Sequence, residues 1–396
     1  MKLECNKQAL QAVVKRTLPF VERKSTIPII STIHIKADKP LITPLITFTV
    51  TNLDQSLIVI LDEKITVHEP GMVCVPARQL ANVLDKLKTI DATQVHVSAD
   101  KENWVTITCG DLTVKIPGTV PEDYPTLEPM PSDGRLGSYP ADVLLGLIER
   151  TEWAIGPEES RFTLNGALLE LRRTGTDDSI RMVATDGHRC AIAEYALVPE
   201  CATSHKCLLP RDAIHKLSGE LEHTKGFVEM EIGPDRVWFS SGDWQMCTRL
   251  LTEQFPNYQA TIPKMGQVNK RVILPVSKAL AVVRTVLQFA NERSHATRWE
   301  YVPVGGKKMG VMVSASNTET GQASQLIPCN CEDTVTIGFD GTYVLDVLQS
   351  AYKQNKEAQV VLCLRDEESA SVWMPLDENG SSGAWKSQCV LMPMRI

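Results

Sequence analysis

The sequence predicts an α+β protein made of three tandem copies of one domain, each with two helices packed on antiparallel sheets. Amphipathic helices alternate with groups of short strands along the whole chain. Pro76 and Pro210 are 134 residues apart. Asn52 and Asp186 show the same separation of 134, and Asn317 follows Asp186 by 131 residues. Landmarks that recur in one order at one period indicate an internal repeat.

The first copy is predicted to contain two amphipathic helices. Their apolar stripes are Leu10, Val13, Val14 and Leu18 in the first helix, which Pro19 ends, and Leu80, Val83, Leu84 and Leu87 in the second. Arg78, Asn82 and Lys86 share the opposite face of the second helix. Strands are predicted at Thr32–Ala37, Ile46–Asn52, Leu57–Ile60, Met72–Pro76, Gln94–Ser98, Trp104–Cys109 and Leu112–Ile116.

The same order of elements returns twice. Glu128–Gly137, with two prolines and two glycines, is predicted to be a linker. Helices are predicted at Ala141–Trp153, from Pro210 through Leu221, at Ser277–Phe289 and from Gly338 through Leu348. Strands are predicted at Phe162–Arg172, Ile180–Tyr195, Phe227–Ile232, Arg236–Ser240, Gln245–Leu251, Val360–Leu364, Ser371–Met374 and Cys389–Met392. The expected domains are therefore 1–128, 136–263 and 264–396.

The composition favours a globular protein of the cytoplasm. Apolar residues make up 43% of the chain and charged residues 22%. No apolar run is long enough for a membrane span, and the first residues lack the apolar stretch of a secretory signal. The eleven cysteines include one close pair, Cys329 and Cys331, without the second pair that a zinc site needs. We therefore expect reduced thiols, no metal and no cofactor.

Charge is unevenly distributed along the chain. The six predicted helical segments together carry +6, which leaves −13 for the rest of a chain whose total is −7. Basic helices attract phosphate groups without reading a base sequence. The alternative is that these lysines and arginines are ordinary solvated charges on exposed helix faces.

The segment Ala184–Arg189, with the sequence Ala-Thr-Asp-Gly-His-Arg, lies between two apolar strands, and Asp-Gly predicts the turn of a hairpin. Asp186 and His188 invite a catalytic interpretation, but no serine or cysteine is placed by the sequence as their nucleophile. Cys190 is expected to be packed on its strand, and Asp186 to cap its own turn. The chain contains no G-x-S-x-G, no phosphate-binding G-x-x-x-x-G-K-[ST] and no H-E-x-x-H. A monomeric enzyme or small-ligand protein that uses this hairpin remains the alternative.

Several segments together resemble one protein family over the whole length of the chain. They are Val75–Arg78, Arg161–Gly166, Ala184–Arg189, Phe255–Tyr258, Tyr343–Leu348 and Met392–Ile396. In them the chain resembles the β subunit of bacterial DNA polymerase III, the sliding clamp. The resemblance implies a head-to-tail homodimer whose six DNA-clamp domains close into a ring around double-stranded DNA. It implies a processivity factor associated with the nucleoid, which tethers the replicative polymerase and performs no catalysis.

The resemblance also implies two sets of functional residues. A pocket between the second and third domains would bind a short, partly apolar peptide from polymerases, the clamp loader or repair proteins. Its wall would be Leu164, Thr185, Gly187, His188, Arg189, Pro256, Ile262, Tyr343, Val390, Met392, Pro393 and Met394. The expected DNA contacts are Arg23, Lys24, Arg78 and Arg211, with Lys15, Lys86, Lys278 and Arg284 behind them.

Some positions depart from the family pattern. Cys190 and Thr261 stand where larger or more apolar residues are common in the pocket, which would alter peptide preference. Glu158 stands where a neutral residue that contacts DNA is often found. For Met392 and Met394 the alternative is an ordinary final strand packed in the core.

Overall fold

The structure is a computed structural model of the 396-residue chain. It describes residues 1–22, 26–39, 44–157, 162–173, 178–196, 204–264, 268, 270–305, 308–331, 335–376 and 384–396. The expected DNA contacts Arg23 and Lys24, and Glu158 and Arg161, lie outside these residues. Across the described ranges, no helix is long and apolar enough to cross a membrane.

The first part of the chain has the predicted order of helices and strands. Its elements are β1 (Lys2–Asn6), α1 (Lys7–Thr17), β2 (Thr32–Asp38), β3 (Leu45–Thr51), β4 (Gln55–Leu61), β5 (Ile65–Glu69), β6 (Gly71–Pro76), α2 (Ala77–Lys86), β7 (Gln94–Ala99), β8 (Trp104–Cys109) and β9 (Leu112–Pro117). Leu10, Val13 and Val14 are buried as predicted, and the Asn6 side chain accepts hydrogen bonds from the amides of Gln8 and Ala9 at the start of α1.

Among the described elements, the middle part repeats this order with one strand fewer between its two helices. Its elements are β10 (Arg135–Pro140), α3 (Ala141–Thr151), β11 (Gly166–Arg172), β12 (Ser179–Thr185), β13 (Arg189–Ala196), β14 (His205–Pro210), α4 (Arg211–Leu221), β15 (Phe227–Ile232), β16 (Arg236–Ser241) and β17 (Trp244–Arg249). Two predicted bounds were wrong. The linker predicted at Glu128–Gly137 already belongs to β10 from Arg135, and Phe162–Leu164 forms a 3-10 turn before β11.

The last part contains the longest strands. Its elements are β18 (Lys270–Pro275), α5 (Val276–Leu287), β19 (Ala296–Gly305), β20 (Lys308–Asn317), β21 (Gly321–Cys331), β22 (Thr336–Asp340), α6 (Gly341–Gln354), β23 (Gln359–Leu364), β24 (Ser371–Leu376) and β25 (Trp385–Leu391). The helix predicted from Gly338 begins at Gly341 instead, because Gly338 belongs to β22. The Asp340 side chain accepts the amide of Thr342 and so caps α6.

Contact density divides the chain into two compact units. The first unit contains Met1–Asp142 and His215–Leu250, and the second contains Val143–Ile214 and Leu251–Ile396. Within the described residues, the first unit contains a five-stranded sheet, β5-β1-β7-β8-β9, and an eight-stranded sheet, β10-β15-β16-β17-β4-β3-β2-β6. The second unit contains a twelve-stranded sheet, β14-β11-β12-β13-β25-β24-β23-β18-β21-β20-β19-β22.

Each unit contains a sheet that continues from one repeat into the next. In the first unit, β17 pairs antiparallel with β4, with Trp244 opposite Val59. In the second unit, β25 pairs antiparallel with β13, with Trp385 opposite Tyr195. These pairings satisfy strand edges that would otherwise be exposed. The predicted α+β class with helices on antiparallel sheets is confirmed.

Candidate functional site

The hairpin predicted at Ala184–Arg189 is present, and its turn is held by its own side chains. Strands β12 and β13 pair up to Thr185 opposite Cys190. The Asp186 Oδ1 atom accepts the amides of His188 at 2.9 Å and Arg189 at 3.0 Å. The Thr185 hydroxyl donates to the Arg189 carbonyl at 2.6 Å and accepts the amide of Gly187, whose φ is +94°. The prediction that Asp186 caps its own turn is confirmed.

The hairpin has no nucleophile that is poised to react. Cys190, the nearest thiol, is 5% exposed, and burial with the nearby Asp186 carboxylate raises its pKa to about 12. A thiol with such a pKa stays protonated near neutral pH and is a poor nucleophile. His188 is exposed, and its ring lies 6.4 Å from the Tyr343 ring. The geometry does not support the enzyme alternative.

Arg189 is the most constrained of the expected pocket residues. Its Nε donates to Asp186 Oδ2 at 2.9 Å, one Nη to Asp346 Oδ2 at 2.5 Å and the other Nη to the Trp153 carbonyl at 2.6 Å. Its guanidinium also lies 4.4 Å from the centre of the Tyr343 ring. The Arg189 side chain is only 10% exposed, so these contacts hold the hairpin turn in place from the interior of the protein.

The end of the chain lies beside the hairpin. The Met392 amide donates to the His188 carbonyl at 2.9 Å, and the Met394 amide donates to the Gly338 carbonyl at 2.8 Å. Met392 is 38% exposed, and Pro393 and Met394 are half-buried. The alternative for Met392 and Met394, an ordinary final strand packed in the core, does not hold, because β25 ends at Leu391, Met392 is exposed and Met394 is only half-buried.

An apolar floor lies beneath these segments. It consists of the buried side chains Leu168, Val183, Cys190, Ile192, Leu208, Tyr258 and Val390. Four half-buried residues pack against it, namely Leu251, Phe255, Ile262 and Ala370. We call the surface formed over this floor by Thr185–Arg189, Phe255–Ile262 and Met392–Met394, with Tyr343 at its side, the candidate surface.

The expected pocket residues therefore come together in the second unit. Leu164 lies near the hairpin, because its carbonyl accepts the amide of Gly156, where an added Cβ would lie 3.7 Å from Asp186 Cα. Pro256 is exposed, and its carbonyl accepts the amide of Tyr258. The sequence reasoning missed Leu251, Phe255 and Ala370.

The expected DNA contacts that the structure describes are exposed and lie on helices. They are Lys15 on α1, Arg78 and Lys86 on α2, Arg211 on α4, and Lys278 and Arg284 on α5. In the described part of the chain, none of these six side chains forms an ion pair. Free cations on rigid helices are available to phosphate groups.

Eight of the described cysteines are buried free thiols, namely Cys5, Cys74, Cys109, Cys190, Cys207, Cys247, Cys363 and Cys389. Groups of three or more potential metal ligands are absent from the ranges that the structure describes.

Comparison with known proteins gives one consistent family. The family model for the N-terminal domain of the DNA polymerase III beta subunit matches residues 1–128, and the model for its central domain matches residues 139–257. The beta sliding clamp of Pseudomonas putida is 28% identical over 405 residues, covering 100% of both chains. That of Caulobacter vibrioides is 28% identical over 351 residues, covering 88% of this chain and 90% of the relative.

A solved structure extends the likeness to the whole fold. The beta sliding clamp of C. crescentus superposes with a TM-score of 0.85 at 26% identity, covering 100% of both chains. The two domain models, the two relatives and the solved structure all indicate the same family. The chain belongs to the family of DNA polymerase III beta subunits, the bacterial beta sliding clamps.

Proposed function

We propose that two copies of the chain close head to tail into a ring around double-stranded DNA, and that partner proteins dock on the candidate surface. As a member of its family, the chain is a non-catalytic processivity factor of DNA polymerase. The domains are proposed to span 1–128, 136–263 and 264–396, in keeping with the two family-model matches. Encirclement of DNA would place the protein at the nucleoid.

The observation that carries the ring proposal is an unpaired strand edge. In the first unit, β9 ends its sheet and pairs with β8 alone among the described strands. Gly110-Asp111 precedes β9 as Gly242-Asp243 precedes β17, so β9 is the first copy's counterpart of β17. Because β17 pairs with β4, the repeat leaves β9 to pair with the third copy's counterpart of β4 in a second chain.

That counterpart is β21. It follows β20 in a hairpin, as β4 follows β3 and β13 follows β12. It pairs with β18 only at its last two residues, so most of one edge is left for a partner strand. If β9 of each chain pairs antiparallel with β21 of the other, two such interfaces form and the two chains close into a ring.

The basic helices fit DNA that is held without reading its bases. The six exposed cations are three lysines and three arginines, and contacts between such side chains and phosphates carry no sequence information. Such contacts weaken steeply with salt and let a protein move along the duplex.

The candidate surface fits a short, partly apolar peptide. Its floor is apolar, its hairpin is rigid, and the exposed Met392 can adapt to different apolar side chains. A surface of this kind suits several clients, which we propose to be the polymerase, the clamp loader and repair proteins.

Retention on DNA tests the ring. Once loaded, the protein should stay on closed circular DNA and run off after the circle is cut. Filtration of labelled protein with the DNA before and after cutting measures this difference. Equal loss from both forms would overturn the ring proposal.

A methionine pair tests the candidate surface. Met392→Ala should weaken binding of a synthetic peptide with the C-terminal sequence of the cell's polymerase about tenfold, because burial of a Met side chain contributes about 1.5–3 kcal/mol. Met72→Ala is the matched control, because Met72 is 42% exposed on β6 in the first unit. Calorimetry should find that Met72→Ala binds the peptide with unchanged affinity. Equal effects of the two variants would mean that the peptide binds elsewhere.

A further inference from the structure

One wall of the candidate surface is a mostly exposed segment with one buried residue between two half-buried residues, Phe255 and Ile262, that pack on the apolar floor. In Pro256–Thr261, Tyr258 alone is buried, with 5% exposure. Within this segment, backbone hydrogen bonds join the Tyr258 amide to the Pro256 carbonyl and the Ala260 amide to the Asn257 carbonyl. These bonds shape the turn but do not attach it to the sheet. We call Phe255–Ile262 the wall segment.

The sheet below the wall segment carries a row of alternating charges. Glu170 on β11 lies opposite Lys206 on β14 and opposite Arg181 on β12, and Arg181 lies opposite Glu194 on β13. The Lys206 ammonium lies 2.9 Å from Glu170 Oε1, and an Arg181 Nη lies 2.5 Å from Glu194 Oε2. We call these four residues the charge ladder. Opposite charges on directly opposed strand positions stabilise a sheet.

Tyr258 joins the wall segment to this ladder. Its hydroxyl donates to Glu170 Oε2 at 2.7 Å and accepts from an Arg181 Nη at 3.1 Å. Its ring packs in the apolar floor and meets the Phe255 ring edge-on, with the centres 6.3 Å apart. One side chain therefore has its ring in the floor and its hydroxyl between two charged groups.

Hydrogen bonds keep the Glu170 carboxylate ionised. Burial alone would raise the pKa of Glu170, whose side chain is 3% exposed, but bonds from Lys206 and Tyr258 outweigh burial and lower that pKa. Glu170 is therefore an anion that needs donors. A hydrogen bond from a phenol to such an anion is stronger than one between neutral groups.

We propose that Tyr258 is a positioning residue for partner binding, and that its hydroxyl locks the wall segment onto Glu170 and Arg181. Pro256 and Ile262, which the candidate surface presents, lie on either side of this anchor. The peptide then meets a wall already in place and does not have to order it. This role rests on the proposed peptide-binding function.

Tyr258→Phe tests the lock while leaving the fold in place. Phenylalanine keeps the ring in the apolar floor, Glu170 keeps its bond from Lys206, and Arg181 keeps Glu194. The polymerase-tail peptide should bind about fivefold more weakly, mainly because it dissociates faster. Amide hydrogen exchange at Ala260, which bonds to Asn257 within the segment, should become about tenfold faster.

Tyr124→Phe is the matched control. The Tyr124 hydroxyl also donates one hydrogen bond, to the Thr49 carbonyl at 3.2 Å in the first unit. This variant should leave peptide affinity and Ala260 exchange unchanged. A purely structural role for Tyr258 would lower the unfolding temperature of Tyr258→Phe without changing either measurement, and that result would overturn the proposal.

A double substitution identifies the partner of the hydroxyl. In the Glu170→Gln background, Tyr258→Phe should weaken binding less than twofold, because the charged acceptor is already gone. A full fivefold effect there would refute the lock on Glu170. Failure of the wild-type chain to bind the peptide would overturn the proposed function instead. Unchanged Ala260 exchange in Tyr258→Phe would overturn the lock whether or not the peptide binds.

Discussion

Replacement of Arg189 by lysine should destabilise the second unit by about 3 kcal/mol although the charge is kept. Lysine cannot reproduce the flat fork that reaches Asp186, Asp346 and the Trp153 carbonyl at once. Hydrogen bonds to charged groups contribute about 1.5–3 kcal/mol each. The Asp346 side chain is 35% exposed, so solvent screens its bond to Arg189 and the bond adds little to stability.

The bonds to Asp186 and to the Trp153 carbonyl are the two that stabilise the folded state most, and the lysine ammonium can form only one of them. Loss of the other bond lowers the free energy of unfolding by about 2 kcal/mol. The stacking of the guanidinium on the Tyr343 ring, at 4.4 Å, adds about 1 kcal/mol. Urea unfolding followed by tryptophan fluorescence measures the free energy of unfolding.

Arg365→Lys is the control for this substitution. Arg365 pairs with Asp366 at 3.5 Å, but its side chain is 58% exposed, so the exchange should change the free energy of unfolding by less than about 0.5 kcal/mol. A similarly small change for Arg189→Lys would refute the view that the fork, and not the charge, holds the hairpin in place.

Three further predictions concern the contacts between repeats. Gly146→Ala on α3 should cost about 1–2 kcal/mol in the same assay, because the new Cβ would lie 2.8 Å from the Trp385 ring, and the strain outweighs the helix propensity gained; a gain in stability would contradict this. Arg16→Ala should cost about 3–5 kcal/mol, because it leaves the Glu220 carboxylate, 4% exposed, without its partner at 2.7 Å. Burial raises the pKa of Glu220 in the folded chain despite this partner. The folded chain therefore holds the Glu220 proton more tightly than the unfolded chain does. This stabilisation is fully present below about pH 4.3, the ordinary pKa of a glutamate, and is lost as the pH rises through the raised pKa of the folded chain. Glu220→Gln should remove this loss and leave stability at pH 7 equal or higher; a large destabilisation there would contradict the reasoning.

The sequence predicted the helices well because their buried faces are continuous stripes. α4 ends at Leu221 as predicted and begins at Arg211, one residue after its predicted start, and Leu80 and Leu84 of α2 are buried while Lys86 is exposed. The strand β1 was missed because its five residues alternate apolar and polar side chains too briefly for a pattern. The helix predicted from Gly338 began three residues too early, because Asp340 supplies the cap that starts α6.

Most residues expected in the pocket come from family segments that are continuous in sequence. Thr185–Arg189 and Met392–Met394 were found as segments, and the bond from the Met392 amide to His188 brings them together. Leu251 and Ala370 belong to none of these segments, and Phe255, which belongs to one, was not expected in the pocket; the packing of all three depends on the tertiary structure. The charge ladder also escaped prediction, because opposition across strands depends on register, which a single sequence does not reveal.

The reactive-looking side chains of the hairpin are occupied by contacts within the protein, which is consistent with the proposed role in binding and not in catalysis. The Asp186 carboxylate is occupied by two backbone amides and by Arg189, and the Arg189 guanidinium is occupied by two carboxylates and a carbonyl. Burial keeps the Cys190 thiol protonated, since its pKa is raised to about 12. What remains for a partner is shape, exposed apolar surface at Met392 and the His188 ring. A surface whose polar groups are already satisfied loses little when it is covered, because few of its hydrogen bonds with water have to be broken. The same side chains that suggest catalysis would therefore make the hairpin a well-supported surface for the proposed peptide.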